Sequence, residues 1–180
     1  MGCRVEWSYV GNKRPLSRSW EPNRLDAIIY IVMYLKVSGI MEQTLKRVET
    51  LLLSFYQDNP FVQYLGIKVE SVEFGKVQLS MQINHECTNV YKIAHGGALM
   101  SVADTAMGAA CLSVNKKVVT LDFNINLMKA VPEDQLIYAV GRILHNGART
   151  IVAECDIIDA ADKIYGKARG TFFVNEKFAE

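Results

Sequence analysis

Two periodicities divide the chain. Over 41–56 the apolar residues Met41, Leu45, Val48, Leu52 and Phe55 recur at spacings of three and four, the pattern of one helix face, and Asn59-Pro60 stops it. Beyond that point the period drops to two. Residues 66–73 and 76–84 alternate as strands about a turn at Phe74-Gly75, and alternation returns over 119–127, 136–145, 149–158 and 163–174. Asn146-Gly147 is a two-residue hairpin signal. In the 119–127 strand, Val119, Leu121, Phe123, Ile125 and Leu127 fall on one face, and Thr120, Asp122, Asn124 and Asn126 on the other.

The segment 97–114 obeys neither strand period nor helical amphipathicity. Its polar side chains are Ser101, Asp104, Thr105 and Ser113, and Ala103, Ala106, Gly108, Ala109 and Ala110 allow close packing on nearly every side. A helix apolar all round is a buried one. The order of helix, two strands, long buried helix and four strands predicts an α+β fold, a mainly antiparallel sheet wrapped round one helix. Such a sheet covers the helix on one side, so the remaining apolar surfaces and the sheet edges invite a second subunit.

Asp104 stands against this background. An ionised carboxylate in an apolar helix costs several kcal/mol unless it is hydrogen-bonded, paired or turned to a polar cleft. It either bonds a backbone N–H or a Thr and fixes the helix, or it does chemistry. The paired glycines Gly96 and Gly97 at the helix start point to the second role. Amides at a helix N-terminus are unpaired, the helix dipole favours negative charge there, and glycine admits a substrate closely. Asp104 lies about two turns along the helix from Gly96.

With 180 residues, half of them apolar, and a net charge of +1, the chain has room for a single sizeable core. Residues 1–40 carry six Lys or Arg against three acids, and no basic patch of the kind nucleic acid needs remains in the rest. Cys3, Cys87, Cys111 and Cys155 form no C-x-x-C pair, which suits free thiols in the reducing cytoplasm. His85, His95 and His145 lack metal-ligand spacing, so no metal is expected.

Residues 1–24 show no period and read as poorly ordered. The apolar run 27–35 is too short to span a bilayer, and no small-residue cleavage site follows it. Met1-Gly2-Cys3 resembles a myristoylation start, but Glu6 stands where Ser or Thr is required. Because Met41 opens the amphipathic helix, 1–40 is read as an extension, either poorly ordered or upstream of a natural start at Met41, and 41–180 as the domain.

Asn89, then His95-Gly96-Gly97, then Asp104, then the strand Thr120-Leu121-Asp122-Phe123-Asn124 resemble, in order and spacing, the hotdog-fold thioesterases of the PaaI type. The resemblance covers 59–175. It implies an antiparallel sheet wrapped around the central helix, a homodimer with a continuous sheet, often paired into a homotetramer, and active sites at the dimer interface. It also implies hydrolysis of acyl- or aroyl-coenzyme A thioesters, with coenzyme A as part of the substrate and no other cofactor. Carried over by position, Asp104 is the nucleophile or the base that activates water, and the Gly96 N–H polarises the thioester carbonyl. Asn89 and His95 shape the pocket, Thr120 stands near the attacking water, and Gly97 belongs to the substrate-binding turn. Lys129, Arg149 and Lys92 are the candidate cations for coenzyme A phosphates. The family often has glycine where this chain has Lys92, three positions before the His of the motif.

Each residue also has a plainer reading. His95 could simply cap the helix, Thr120 serve β-propensity, and the cations be solvated. Two other functions compete with hydrolysis. A non-catalytic acyl-coenzyme A sensor would want an N-terminal DNA-binding helix-turn-helix, and residues 1–57 show one convincing amphipathic helix. An enoyl-coenzyme A hydratase would need a His and an acid to converge, and His95 and Asp104 are nine residues apart on one element.

Overall fold

The computed structural model describes residues 24–178. Helix α1 (Arg24–Gln57) begins well before Met41, where the periodicity places its start, and the chain divides into two compact units at Ser38–Gly39 within it. The expectation for 1–23, Cys3 included, lies outside the described residues. No helix among the described residues is long and apolar enough to cross a membrane.

In the unit from Gly39 onward, Asn59-Pro60 both stops one helix and starts another. The Asn59 carboxamide oxygen accepts the N–H groups of Phe61 (3.1 Å) and Val62 (3.2 Å), and Pro60 needs no N–H partner at the first helical position, so a short helix α2 (Pro60–Tyr64) forms. The period reading missed this helix because five residues carry too little pattern. Strands β1 (Lys68–Glu73) and β2 (Lys76–Gln82) form the first hairpin, with Gly75 in the left-handed region at φ +76°. A 3₁₀ turn (His85–Cys87) and a loop lead into helix α3 (Gly96–Ser113). Strands β3 (Lys116–Leu127), β4 (Leu136–Asn146), β5 (Thr150–Ile158) and β6 (Ile164–Lys177) follow.

The six strands make one antiparallel sheet in the order β1-β2-β4-β5-β6-β3, so β1 and β3 are its edges. Helix α3 packs on one face of all six strands. Its small residues let the sheet come very close: a Cβ on Gly141 of β4 would sit 2.2 Å from the Ala106 carbonyl oxygen. Leu99, Val102 and Met107 are fully buried against the sheet, at about 1.5–3 kcal/mol each. On β5 the inward residues Ile151, Ala153, Cys155 and Ile157 alternate with Glu154 and Asp156 on the far face. There Asp156 accepts from Lys167 (2.7 Å) and from Arg142, so the outer surface is a polar ladder. Cys87, Cys111 and Cys155 are free and buried.

Strand β3 departs from its sequence reading. The register against β6 slips between Thr120 and Asp122, leaving Leu121 as an inserted bulge residue. A bulge exchanges the faces of the strand on either side of it. Thr120 therefore points to α3 opposite the buried Phe172, while Phe123 and Ile125 face inward beyond the bulge. Val119 and Leu121, expected on the dry face, are 53% and 60% exposed.

Candidate active site

The start of α3 is built by its own cap. His95, at φ −65° and ψ 135°, accepts the Gly97 N–H at Nδ1 (2.9 Å), which puts the proton of the neutral ring on Nε2. The His95 carbonyl takes the N–H groups of Ala98 (3.0 Å) and Leu99 (3.3 Å). Among the described residues no group accepts the Gly96 N–H, so one amide at the positive end of the helix dipole remains free. The His95 N–H donates to the Cys87 carbonyl (2.7 Å), tying the preceding loop to the helix.

That loop turns on Asn89. Its side-chain oxygen accepts the Tyr91 N–H (2.9 Å), its carbonyl accepts from Lys92 (2.9 Å), and its N–H donates to Ile93 (2.9 Å). Closing this turn puts Lys92 in the left-handed region at φ +56°. The position therefore asks for glycine, which is the residue the resemblance associates with it, and the lysine keeps the turn at a conformational cost of about 1–2 kcal/mol. Asn89, Gly96 and Lys129 line one cleft of 320 Å³, with Leu127 and Val131 among its apolar walls.

Asp104 occupies a different cleft. Eight residues from Gly96, about 12 Å along the helix axis, it accepts a hydrogen bond at Oδ1 from Thr120 Oγ1 (2.9 Å). The β3 bulge is what aims Thr120 there. Burial pushes the Asp104 carboxyl above the usual carboxylate range, and the Thr120 hydrogen bond offsets part of that rise. Among the described residues no other group donates to the carboxylate. The nearby hydroxyls of Ser101 and Thr105 are spent on helix carbonyls four residues back, at 2.8 and 2.7 Å. Tyr56 Oη donates to the Thr105 carbonyl (3.1 Å), and burial, then the charge of Asp104, raise its pKa. This cleft encloses 680 Å³ between α1, α2, α3 and β3, and Tyr56, Phe61, Phe123 and Phe172 give it an aromatic lining.

The sequence-predicted residues thus fall into two groups within one chain. Asp104 and Thr120 meet in the larger cleft, and Asn89, Gly96 and Lys129 meet in the smaller one, with no residue common to both. His95 and Gly97 form the cap between loop and helix. Lys92 and Arg149 are exposed and line neither cleft, Arg149 standing just before β5 with its carbonyl accepting from Val174. Sequence reasoning missed the wall that α1 and α2 give the Asp104 cleft. The Asn59-Pro60 pair carried that signal as a cap and first helical residue. Among the described residues no three His, Cys, Asp or Glu side chains gather as a metal site.

A family model of the thioesterase superfamily matches residues 91–165, the stretch from the Asn89 turn to β6. A hypothetical thioesterase from Streptococcus pneumoniae, solved with coenzyme A, is 30% identical over 62% of this chain and 87% of its own, with a TM-score of 0.60. The chain belongs to the PaaI-type hotdog thioesterases. Among these relatives, the acyl-coenzyme A thioesterase PaaI of Escherichia coli is 26% identical over 65% of this chain and 84% of its own length. The solved PaaI structure from Escherichia coli superposes with a TM-score of 0.69 over 75% of this chain and 96% of the other, at 23% identity, and so speaks to the fold. Relative to this thioesterase family, the sheet wrapped on α3 is the shared hotdog, and α1 and α2 precede it.

Proposed function

We propose that this thioesterase hydrolyses acyl- or aroyl-coenzyme A thioesters to the free acid and coenzyme A, at sites shared between two copies of the chain. The observation that carries this reading is the separation of Asp104 from the free Gly96 amide. One chain holds two complementary half-sites, each lacking the other's chemistry. A homodimer, alone or paired into a homotetramer, sets Asp104 of one copy against Gly96 of the partner subunit. The unpaired edge of β3, with exposed Val119 and Leu121, gives such a partner an apolar surface.

In the reaction, Asp104 removes a proton from water as the water oxygen bonds the thioester carbonyl carbon. The carbonyl electron pair moves onto oxygen, where the Gly96 N–H stabilises the oxyanion. Collapse breaks the C–S bond, and the thiolate leaves with the proton that Asp104 had taken. A desolvated carboxylate with a raised pKa is the stronger base, which suits Asp104 to take the water proton. Incorporation of labelled water oxygen into Asp104 in a single turnover would assign it as nucleophile instead. Asn89 shapes the oxyanion cleft, and Lys129 beside it suits a phosphate of coenzyme A. The three buried free thiols suit the cytoplasm.

Mixing two inactive variants tests the shared site. Asp104→Asn keeps the shape and removes the base, and Gly96→Pro removes the amide hydrogen. Refolded together in equal amounts, half the dimers are mixed and each carries one intact site, so thiol release recovers to about a quarter of wild type. No recovery from two folded, individually inactive variants would refute a site drawn from two chains. A wild type that binds thioesters yet releases no thiol would make the protein a binding module.

A further inference from the structure

Gly108 lies one helical turn beyond Asp104 on the same face of α3 and lines the Asp104 cleft. Glycine inside a helix is unfavourable relative to alanine, so its presence calls for a reason. Two ordinary reasons are absent. Its φ is not positive: the positive-φ glycines among the described residues are Gly66 and Gly75. Nor does a neighbour crowd it among the described residues, because a Cβ built on Gly108 finds none of their heavy atoms within 4 Å, in contrast to Gly141 with a backbone oxygen at 2.2 Å. What the missing side chain leaves is open space in the cleft, between Asp104 and Leu112 and opposite aromatic residues of α1 and α2.

Asp104, Gly108 and Leu112 follow one another at intervals of four along that wall. The two turns between Asp104 and Leu112 rise about 12 Å. A saturated chain with C–C bonds of about 1.5 Å advances about 1.25 Å per carbon, so this length matches roughly eight to ten carbons. The walls along it include Val62, Phe123 and Phe172, while Asp104 and Thr120 stand at one end and Lys117 and Asn175 also line the cleft.

We infer that Gly108 determines how far an acyl group extends from Asp104, and that the enzyme's preferred substrates are unbranched medium-chain acyl thioesters whose distal half lies over Gly108. This inference rests on the thioesterase reading above. A side chain at 108 fills the space that those distal methylenes would take, and each methylene kept from burial is worth about fourfold in binding. Valine and alanine are both better helix formers than glycine, so neither substitution threatens α3.

The test compares kcat/KM for butyryl-, hexanoyl-, octanoyl-, decanoyl- and benzoyl-coenzyme A in wild type, Gly108→Ala and Gly108→Val. The wild type should favour octanoyl and decanoyl thioesters. The decanoyl-to-butyryl ratio should fall about tenfold in Gly108→Ala and a hundredfold or more in Gly108→Val, with the mass in solution unchanged. A ratio within threefold of wild type in both variants would overturn the inference and leave the thioesterase reading standing. So would a wild type that prefers the benzoyl thioester, or a Gly108→Val protein that changes its subunit number and thereby assigns the glycine to a subunit contact. Absence of hydrolysis of every thioester by wild type would remove the proposed function itself, and this inference with it.

Discussion

Gly96→Pro isolates one hydrogen atom of the proposed mechanism. Proline needs φ near −65°, has no N–H, and asks the preceding residue to be extended. Gly96 is the first residue of α3, where proline is favoured, and His95 already sits at φ −65° and ψ 135°. No hydrogen bond among the described residues is lost, because none of them accepts the Gly96 N–H. A Cβ there meets Leu127 Cδ1 at 3.4 Å, the far end of a flexible side chain. The folded state should therefore keep its stability, or gain up to about 1 kcal/mol from the stiffer unfolded chain. Catalysis should not survive as well. Removing one oxyanion donor costs about 10²–10³ in kcat, about 2.7–4 kcal/mol. Free-thiol release gives kcat, urea unfolding gives stability, and Gly96→Ala, which adds the Cβ but keeps the N–H, should stay within about tenfold of wild type. A folded Gly96→Pro protein with kcat within threefold of wild type would refute the assignment of this amide.

Further outcomes follow from the structure. Asp104→Asn should lower kcat by about 10²–10⁴ while raising stability, since it removes a desolvated charge that a single hydroxyl holds among the described residues; a melting temperature below wild type would contradict this. In wild type, activity should fall on the acid side through a pKa above the ordinary 3.8 of Asp. Between 3.8 and that raised value the folded protein binds more protons than the unfolded one, so the stability cost of ionised Asp104, fully present above the raised pKa, is relieved as pH falls through it. The stability gap between wild type and Asp104→Asn should accordingly shrink on acidification. Lys92→Gly should stabilise by about 0.5–1 kcal/mol, read as a higher urea midpoint at constant slope, because relief at φ +56° exceeds the entropy that glycine adds to the unfolded chain. Gly141→Ala should cost about 3 kcal/mol or more by driving a methyl into the Ala106 carbonyl, and a urea midpoint equal to wild type would show that β4 does not approach α3 so closely.

Elements with many turns or alternations were legible in the sequence. Helix α3 was placed within a residue because an apolar run with small residues has few other uses, and the β1–β2 and β4–β5 hairpins were placed by Gly75 and Asn146-Gly147. Helix α2 was not legible, because one turn of helix is decided by a cap and not by a period. Residues of the candidate site could be named one by one, yet their grouping could not. Lys129 joins Asn89 and Gly96 only because the segment after β3 folds back over the start of α3, with the Ala94 N–H on the Val131 carbonyl at 2.8 Å. Arg149, on the turn into β5, looks equally suitable in the sequence and lines neither cleft.

The bulge in β3 links these points to the proposed dimer. A strict alternation over 116–127 would keep Thr120 on the face away from α3, and Asp104 would lose its hydrogen bond. One inserted residue, Leu121, turns Thr120 inward without disturbing Phe123 and Ile125, which still pack on the core. The same insertion leaves Val119 and Leu121 exposed on a twelve-residue edge strand, a surface that a lone subunit would do better to blunt with charge or proline. The geometry that anchors the candidate base and the geometry that leaves the edge apolar are therefore one feature of the backbone. In a single subunit the apolar edge is a liability. In the proposed dimer, closed over that edge, it would be the means by which each candidate base meets the other chain's amide.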